Sequence, residues 1–211
     1  MKKSKEYRSL ARQNLKNNWG TAILVCIVIL LLSSASNIIP VIGSIVSLLL
    51  AGQLAVGEYY YYISLHNKEN ASFNHVFKDF GTDLFKNFVV YILQTLYLIL
   101  WFMLFIIPGI VKVFSYSMTM FLKAKQPNLQ ANEAITLSRK IMDGKKWKLF
   151  CLDFSFFGWI LLSILTLGIG LIFLLPYMQA SSTAFFEDAY AEYLQTPIVV
   201  EKQQTEPDVI Q

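Results

Sequence analysis

Four apolar blocks set the terms on which this chain folds. Residues 21–32, 38–56, 88–113 and 149–175 hold between them only two formally charged side chains, Lys112 and Asp153. A soluble domain has about 25% charged residues; this chain of 211 residues has 15%, with 55% hydrophobic residues and a mean hydropathy of +0.47. Apolar stretches of this length and purity belong in a bilayer. They exclude a soluble enzyme and point to a multi-pass membrane protein.

Block length sets the number of crossings. A hydrocarbon core of about 30 Å takes about 20 helical residues. Residues 19–36 and 38–57 each fit one crossing, whereas 88–123 is too long and is expected to turn at Pro108-Gly109. Residues 149–184 divide in the same way at 166–170, where Gly168 and Gly170 permit a reversal. The expectation is an all-α polytopic membrane protein with six transmembrane helices paired as three hairpins. Residues 1–194 form one integral membrane domain, with hairpin units at 4–65, 72–125 and 131–190, and residues 195–211 form a flexible cytoplasmic tail. The first block, followed by Ser33-Ser34-Ala35, has some look of a signal peptide, but the stretch before it is too long for an ordinary n-region.

Charge fixes the expected orientation. Of 18 Lys and Arg residues, 17 fall before the first crossing, between the second and third, between the fourth and fifth, or in the tail. The three connections on the opposite side carry no charge. By the positive-inside rule both termini are cytoplasmic and the location is the cell membrane. The net charge of +4 therefore reflects topology and implies no nucleic-acid partner. Cys26 and Cys151 lie in or beside apolar segments and offer neither a disulfide framework nor a zinc site.

One phrase recurs three times. An amphipathic lead-in reaches an aromatic start at Asn18-Trp19, Asn87-Phe88 and Lys146-Trp147, and turn glycines follow at Gly43, Gly109 and Gly170. Glu58, Lys125 and Glu187 close the units. The lead-ins are helical in period, clearly so at Phe73, Val76, Phe77 and Phe80 after a Ser72 cap, and at Ala134, Ile135, Ser138, Ile141 and Met142 before Gly144. Each would lie in the cytoplasmic interface as a short helix. Two crossings per unit make this a parallel repeat.

The third unit carries a family resemblance. Ser155-Phe156-Phe157-Gly158-Trp159, then Thr166-Leu167-Gly168-Ile169-Gly170, Pro176-Tyr177 and Ala184-Phe185-Phe186-Glu187, with Ser138-Arg139-Lys140 and Gly144 upstream, resemble a bacterial membrane family typical of Gram-positive organisms, domain-of-unknown-function family 975. The resemblance extends over residues 5–194. It implies location and architecture, and brings no catalytic residue and no cofactor.

Few residues remain to carry chemistry. Lys112 follows the expected outer turn by three residues, so its Cα would lie about 5 Å below the outer surface; it either snorkels or lines a polar cavity with Ser115, Tyr116, Ser117 and Thr119. Asp153, about 6 Å in from the cytoplasmic side at 1.5 Å per residue, is expected to meet Lys123 or Lys125. Gly43, Ser47, Ala51 and Ala55 form a small-residue stripe for helix packing, within the chain or against a second subunit. Tyr59, Tyr60, Tyr61 and Tyr62 read as an interfacial aromatic belt with Trp19, Trp147 and Tyr190. His66 and His75 are too few for a metal site. No nucleophile–base set, phosphate loop or HExxH occurs.

The expected function is that of a non-enzymatic scaffold or adaptor in the lipid bilayer. Its partners would be anionic headgroups, a membrane protein or a second copy of the chain. A small transporter whose polar fourth helix lines a path is the alternative. A lipid enzyme would need Glu58, Asp153 and Glu187 to converge.

Overall fold

The computed structural model describes residues 1–35, 40–69, 71–77, 83–166 and 168–195, with the side chains of 33–46 outside that description. Every described element is helical: α1 (Ser4–Leu15), α2 (Trp19–Ala35), α3 (Pro40–His66), α4 (Leu84–Leu104), α5 (Ile106–Tyr116), α6 (Thr119–Lys125), α7 (Ala131–Ile141), α8 (Lys146–Phe154), α9 (Phe157–Leu165) and α10 (Ile169–Leu194). Among the described residues a 3-10 turn, Phe73–Phe77, lies between α3 and α4.

Four segments are long and apolar enough to cross a membrane: Leu84–Leu104, Ile106–Lys125, Lys146–Leu165 and Ile169–Leu194. The pair α1 and α2 qualifies as a fifth if its 99° bend is one broken span. Consecutive long helices pack on each other, α4 on α5 and α9 on α10, while α3 touches α1, α2, the 3-10 turn, α4, α6 and α10.

Side chains divide into two zones. Tyr7, Leu15, Tyr61, Tyr62, Phe121, Leu122, Phe156 and Phe185 are fully enclosed in a core built by α1, α3, α6, α8–α9 and α10. At the α4–α5 and α9–α10 connections the apolar residues point outward instead: Met103, Phe105, Ile107 and Leu165 are 80%, 68%, 76% and 80% exposed. Leaving this surface in water costs about 25 cal/mol per Å², so the apolar zone calls for a lipid environment.

Two sequence expectations change here. The α4–α5 turn is at Phe105, in extended backbone, and Pro108-Gly109 sits in the first turn of α5. Proline is tolerated there because an N–H in the first helical turn has no intrahelical partner. Gly109 serves packing: a Cβ would come within 2.7 Å of the Phe102 ring on α4. Gly168, by contrast, is a true turn residue with φ +85°, directly before α10, and Gly170 lies inside α10 where a Cβ would meet Ser163 Oγ at 2.6 Å.

The tyrosines are the second correction. Because α3 runs nine residues past Gly57, Tyr61 and Tyr62 are buried and Tyr59 packs in the core against Phe121 and Phe186. Tyr61 and Tyr62 are interior residues and not part of an interfacial belt, while Tyr59 and Tyr60 are half-buried. Trp147 is exposed, as a belt residue would be.

Candidate functional site

The site begins with the periodicity of α7. Ala134, Ile135, Ser138 and Ile141 recur at helical spacing and are buried, which turns Thr136, Arg139 and Lys140 outward. A capping box starts the helix, with the Glu133 carboxylate accepting from the Gln130 N–H at 3.0 Å. Gly144, at φ +70°, turns the chain into α8 and delivers Lys146 beside Arg139 and Lys140.

Two hydrogen bonds lock α7 onto its neighbours. Ser138 Oγ donates to the Ser115 carbonyl at 2.9 Å, a fully buried bond, and Tyr97 Oη donates to Asn132 Oδ1 at 3.3 Å. This docking brings Lys112 of α5 to the same place as the basic end of α7. Lys112, Arg139, Lys140 and Lys146 line one cavity of about 370 Å³ with Ser115, Thr136 and Asp143. The Lys112 ammonium rests 4.2 Å from the centroid of Trp101 and 5.9 Å from that of Tyr116, a cation–π arrangement that holds the charge without neutralising it. Asp143, the one carboxylate lining the cavity among the described residues, lies 3.4 Å from Lys146. Four cations facing one acid repel each other, and an anion relieves that repulsion.

The sequence offered Lys112 either a snorkelling place or a polar cavity with Ser115, Tyr116, Ser117 and Thr119; in the structure Lys112 and Ser115 line one cavity, which the basic end of α7 also lines. The reason is the docking of α7 against α5, a tertiary contact with no local sequence signal.

The other candidates separate. Ser115 lines the cavity but donates to Val111 O at 2.9 Å, and Thr119 donates to Tyr116 O at 2.8 Å. Thr119 is buried, and Tyr116 packs beside Tyr97 with ring centroids 6.4 Å apart.

Asp153 pairs with neither lysine. Lys123, 1% exposed, donates to the carbonyls of Pro127 and Leu129 and so ties down the connection between α6 and α7. Lys125 pairs with Glu187 at 2.8 Å. Asp153 and Glu58 instead lie within electrostatic range of Tyr59, whose side chain hydrogen-bonds with Gln179. Glu187 is held by Lys125.

On α3, Gly43 lies outside the described side chains. Ser47 and Ala51 line a small cavity with Leu32 and Tyr91, and Ala55 packs on the core. The closest backbone approaches are at Gly52, against the Asn87 carbonyl, and Gly57, against that of Val76. His75 Nδ1 is engaged with the backbone of Ser72, and Asp79 and Phe80 lie outside the described residues.

No curated protein and no solved structure matches the chain. The family model described as protein of unknown function (DUF975) matches residues 1–115 and 104–192. Those two segments take in almost all of the sequence, and the chain belongs to the DUF975 family.

Proposed function

We propose that this protein is a non-enzymatic scaffold or adaptor of the cell membrane that binds anionic lipid headgroups at its cytoplasmic face. It crosses the bilayer six times as three parallel hairpins, each led by a short interfacial helix, with both termini cytoplasmic. The observation that carries this reading is the cavity in which Lys112 joins Arg139, Lys140 and Lys146. It gathers the one lysine that the charge count had left on the outer side together with the basic connection. A cytoplasmic leaflet attracts such a cluster with about 1 kcal/mol per basic residue near the surface.

Vesicle flotation of the reconstituted chain with fluorescent anionic lipid tests the proposal. Neutralising Arg139, Lys140 and Lys146 together should lower enrichment of phosphatidylglycerol over phosphatidylcholine about tenfold. Unchanged enrichment would remove the basis for the lipid reading. Transport is the second reading, favoured by Lys112 and Ser115 of the polar helix lining the cavity. It predicts that Lys112→Ala changes a solute flux while the protein stays inserted.

A further inference from the structure

A second recess, remote in sequence from the Lys112 cavity, has a basic half and an apolar half. Its basic half, about 800 Å³, is formed by α1: Lys5, Arg8, Arg12 and Lys16 fall at helical spacing and line it together. The opposite face of α1, Tyr7, Ala11 and Leu15, is buried, and Tyr7 and Lys2 both hydrogen-bond to Asp188 at the far end of α10. The apolar half, about 500 Å³, runs between Trp159 and Leu162 of α9 and Phe173 and Leu174 of α10. Arg12, Trp19 and Tyr177 line both halves, so the two are continuous. Each volume falls in the range of about 300–1,000 Å³ usual for ligand sites.

The cations of the basic half are held but not neutralised. The Arg12 guanidinium donates to Tyr177 Oη at 3.4 Å and lies over its ring at 5.7 Å. Arg8 lies 5.4 Å over the ring of Phe156, and its buried Nε has no acceptor. Glu6, the one acid lining this half, is engaged by the Lys3 N–H in the capping box of α1. Among the described residues none of Lys5, Arg8, Arg12 and Lys16 is paired with a carboxylate. An aromatic ring behind a guanidinium leaves N–H groups at its edge for two oxygens of an acceptor such as a phosphate.

We propose that this groove holds one anionic phospholipid, its phosphate against Arg8 and Arg12 and an acyl chain along Trp19, Trp159, Leu162 and Phe173. Charge complementarity selects the head and the apolar lining selects the tail. A free anion would leave the apolar half empty, and a neutral lipid would leave the arginines unanswered. The assignment rests on the chain residing in a lipid membrane, and not on the cavity at Lys112.

Tryptophan placement makes the two sites separately readable. The full chain in detergent micelles is made as Trp101→Phe/Trp147→Phe, leaving Trp19 and Trp159 in the groove, and as Trp19→Phe/Trp147→Phe/Trp159→Phe, leaving Trp101 under Lys112. Phosphatidylglycerol or phosphatidylcholine brominated in the acyl chain is titrated as a quencher. The groove reporter should show saturable quenching by phosphatidylglycerol, displaced by the unbrominated lipid and not by inorganic phosphate, with a half-point about tenfold below that of phosphatidylcholine. Arg8→Gln/Arg12→Gln should abolish this preference. If that variant does not fold, the exposed Lys16→Glu should weaken the preference several-fold. Equal, non-saturating quenching by both lipids, indifferent to these substitutions, would overturn the groove and leave ordinary boundary lipid; displacement by inorganic phosphate alone would overturn the acyl assignment. If the groove reporter fails while the Trp101 reporter keeps its lipid preference, the Lys112 reading stands without the groove.

Discussion

Lys123 illustrates how a single side chain departs from what its surroundings in sequence suggest. It stands at the end of an apolar stretch, where an inner-membrane lysine is expected to reach water or a carboxylate. Instead it is buried, with its ammonium given to the carbonyls of Pro127 and Leu129. Hydrogen bonds to a charged group contribute about 1.5–3 kcal/mol, and Lys123→Met keeps the packing while removing them. Thermal unfolding in detergent should show that variant destabilised by an amount of that order, while Lys125→Met, which breaks a less buried pair with Glu187, should lose about 1 kcal/mol or less. Equal losses would mean that the carbonyl contacts do not hold the α6–α7 connection. The carbonyl pairing was not legible in the sequence, because backbone acceptors leave no residue-type signature. The polar character of Lys112 and Asp153 was legible, but their partners were not.

Among the elements, glycine separates packing from turning. Gly52 and Gly57 let α3 approach the backbone of α4 and of the 3-10 turn, whereas Gly158 in α9 faces open space. Gly52→Ala and Gly57→Ala should therefore sharply reduce the yield of folded protein, while Gly158→Ala should be neutral or stabilise the helix by up to about 1 kcal/mol. Monodispersity on size exclusion and thermal unfolding distinguish the two outcomes; a tolerated Gly52→Ala would mean that α3 and α4 are not in backbone contact. Gly168 is a third case, since its φ of +85° is unfavourable for any L side chain. Gly168→Ala should cost about 1–2 kcal/mol, read in the same assay.

Helix positions were read well where period and length agreed. The buried face of α7 is the predicted one, and Ser72 Oγ accepts from the Asn74 N–H at 3.3 Å ahead of Phe73–Phe77. The turn at Phe105 was missed because Pro108-Gly109 looks like a breaker, and only the Phe102 ring explains why the glycine is there. The burial of Tyr61 and Tyr62 was missed for a related reason: aromatic clusters beside an apolar block are the same in composition whether they face headgroups or a core.

At the scale of the whole molecule, the division between an enclosed core and an outward apolar zone matches the apolar blocks of the sequence. What the blocks could not convey is which polar segments fold back upon them. The docking of α7 on α5 puts Lys112 and the basic end of α7 in the lining of one cavity, and the argument for function starts there. Electrostatics adds an expectation here: headgroup binding at the Lys112 cavity should weaken with ionic strength as the Debye length falls from about 10 Å at 0.1 M to about 3 Å at 1 M. Titrating salt in the vesicle assay checks it, and a salt-insensitive preference would point away from charge.

The most direct measurement is the sidedness of residue 112. Lys112→Cys, with Cys26 and Cys151 replaced by serine, is treated with a membrane-impermeant maleimide in right-side-out and in inverted vesicles. Labelling in inverted vesicles alone, matched by Arg139→Cys and lowered by added anionic lipid, is the predicted result. Labelling of residue 112 in right-side-out vesicles, with residue 139 labelled only in inverted ones, would contradict the proposed placement of one shared cavity at the cytoplasmic face.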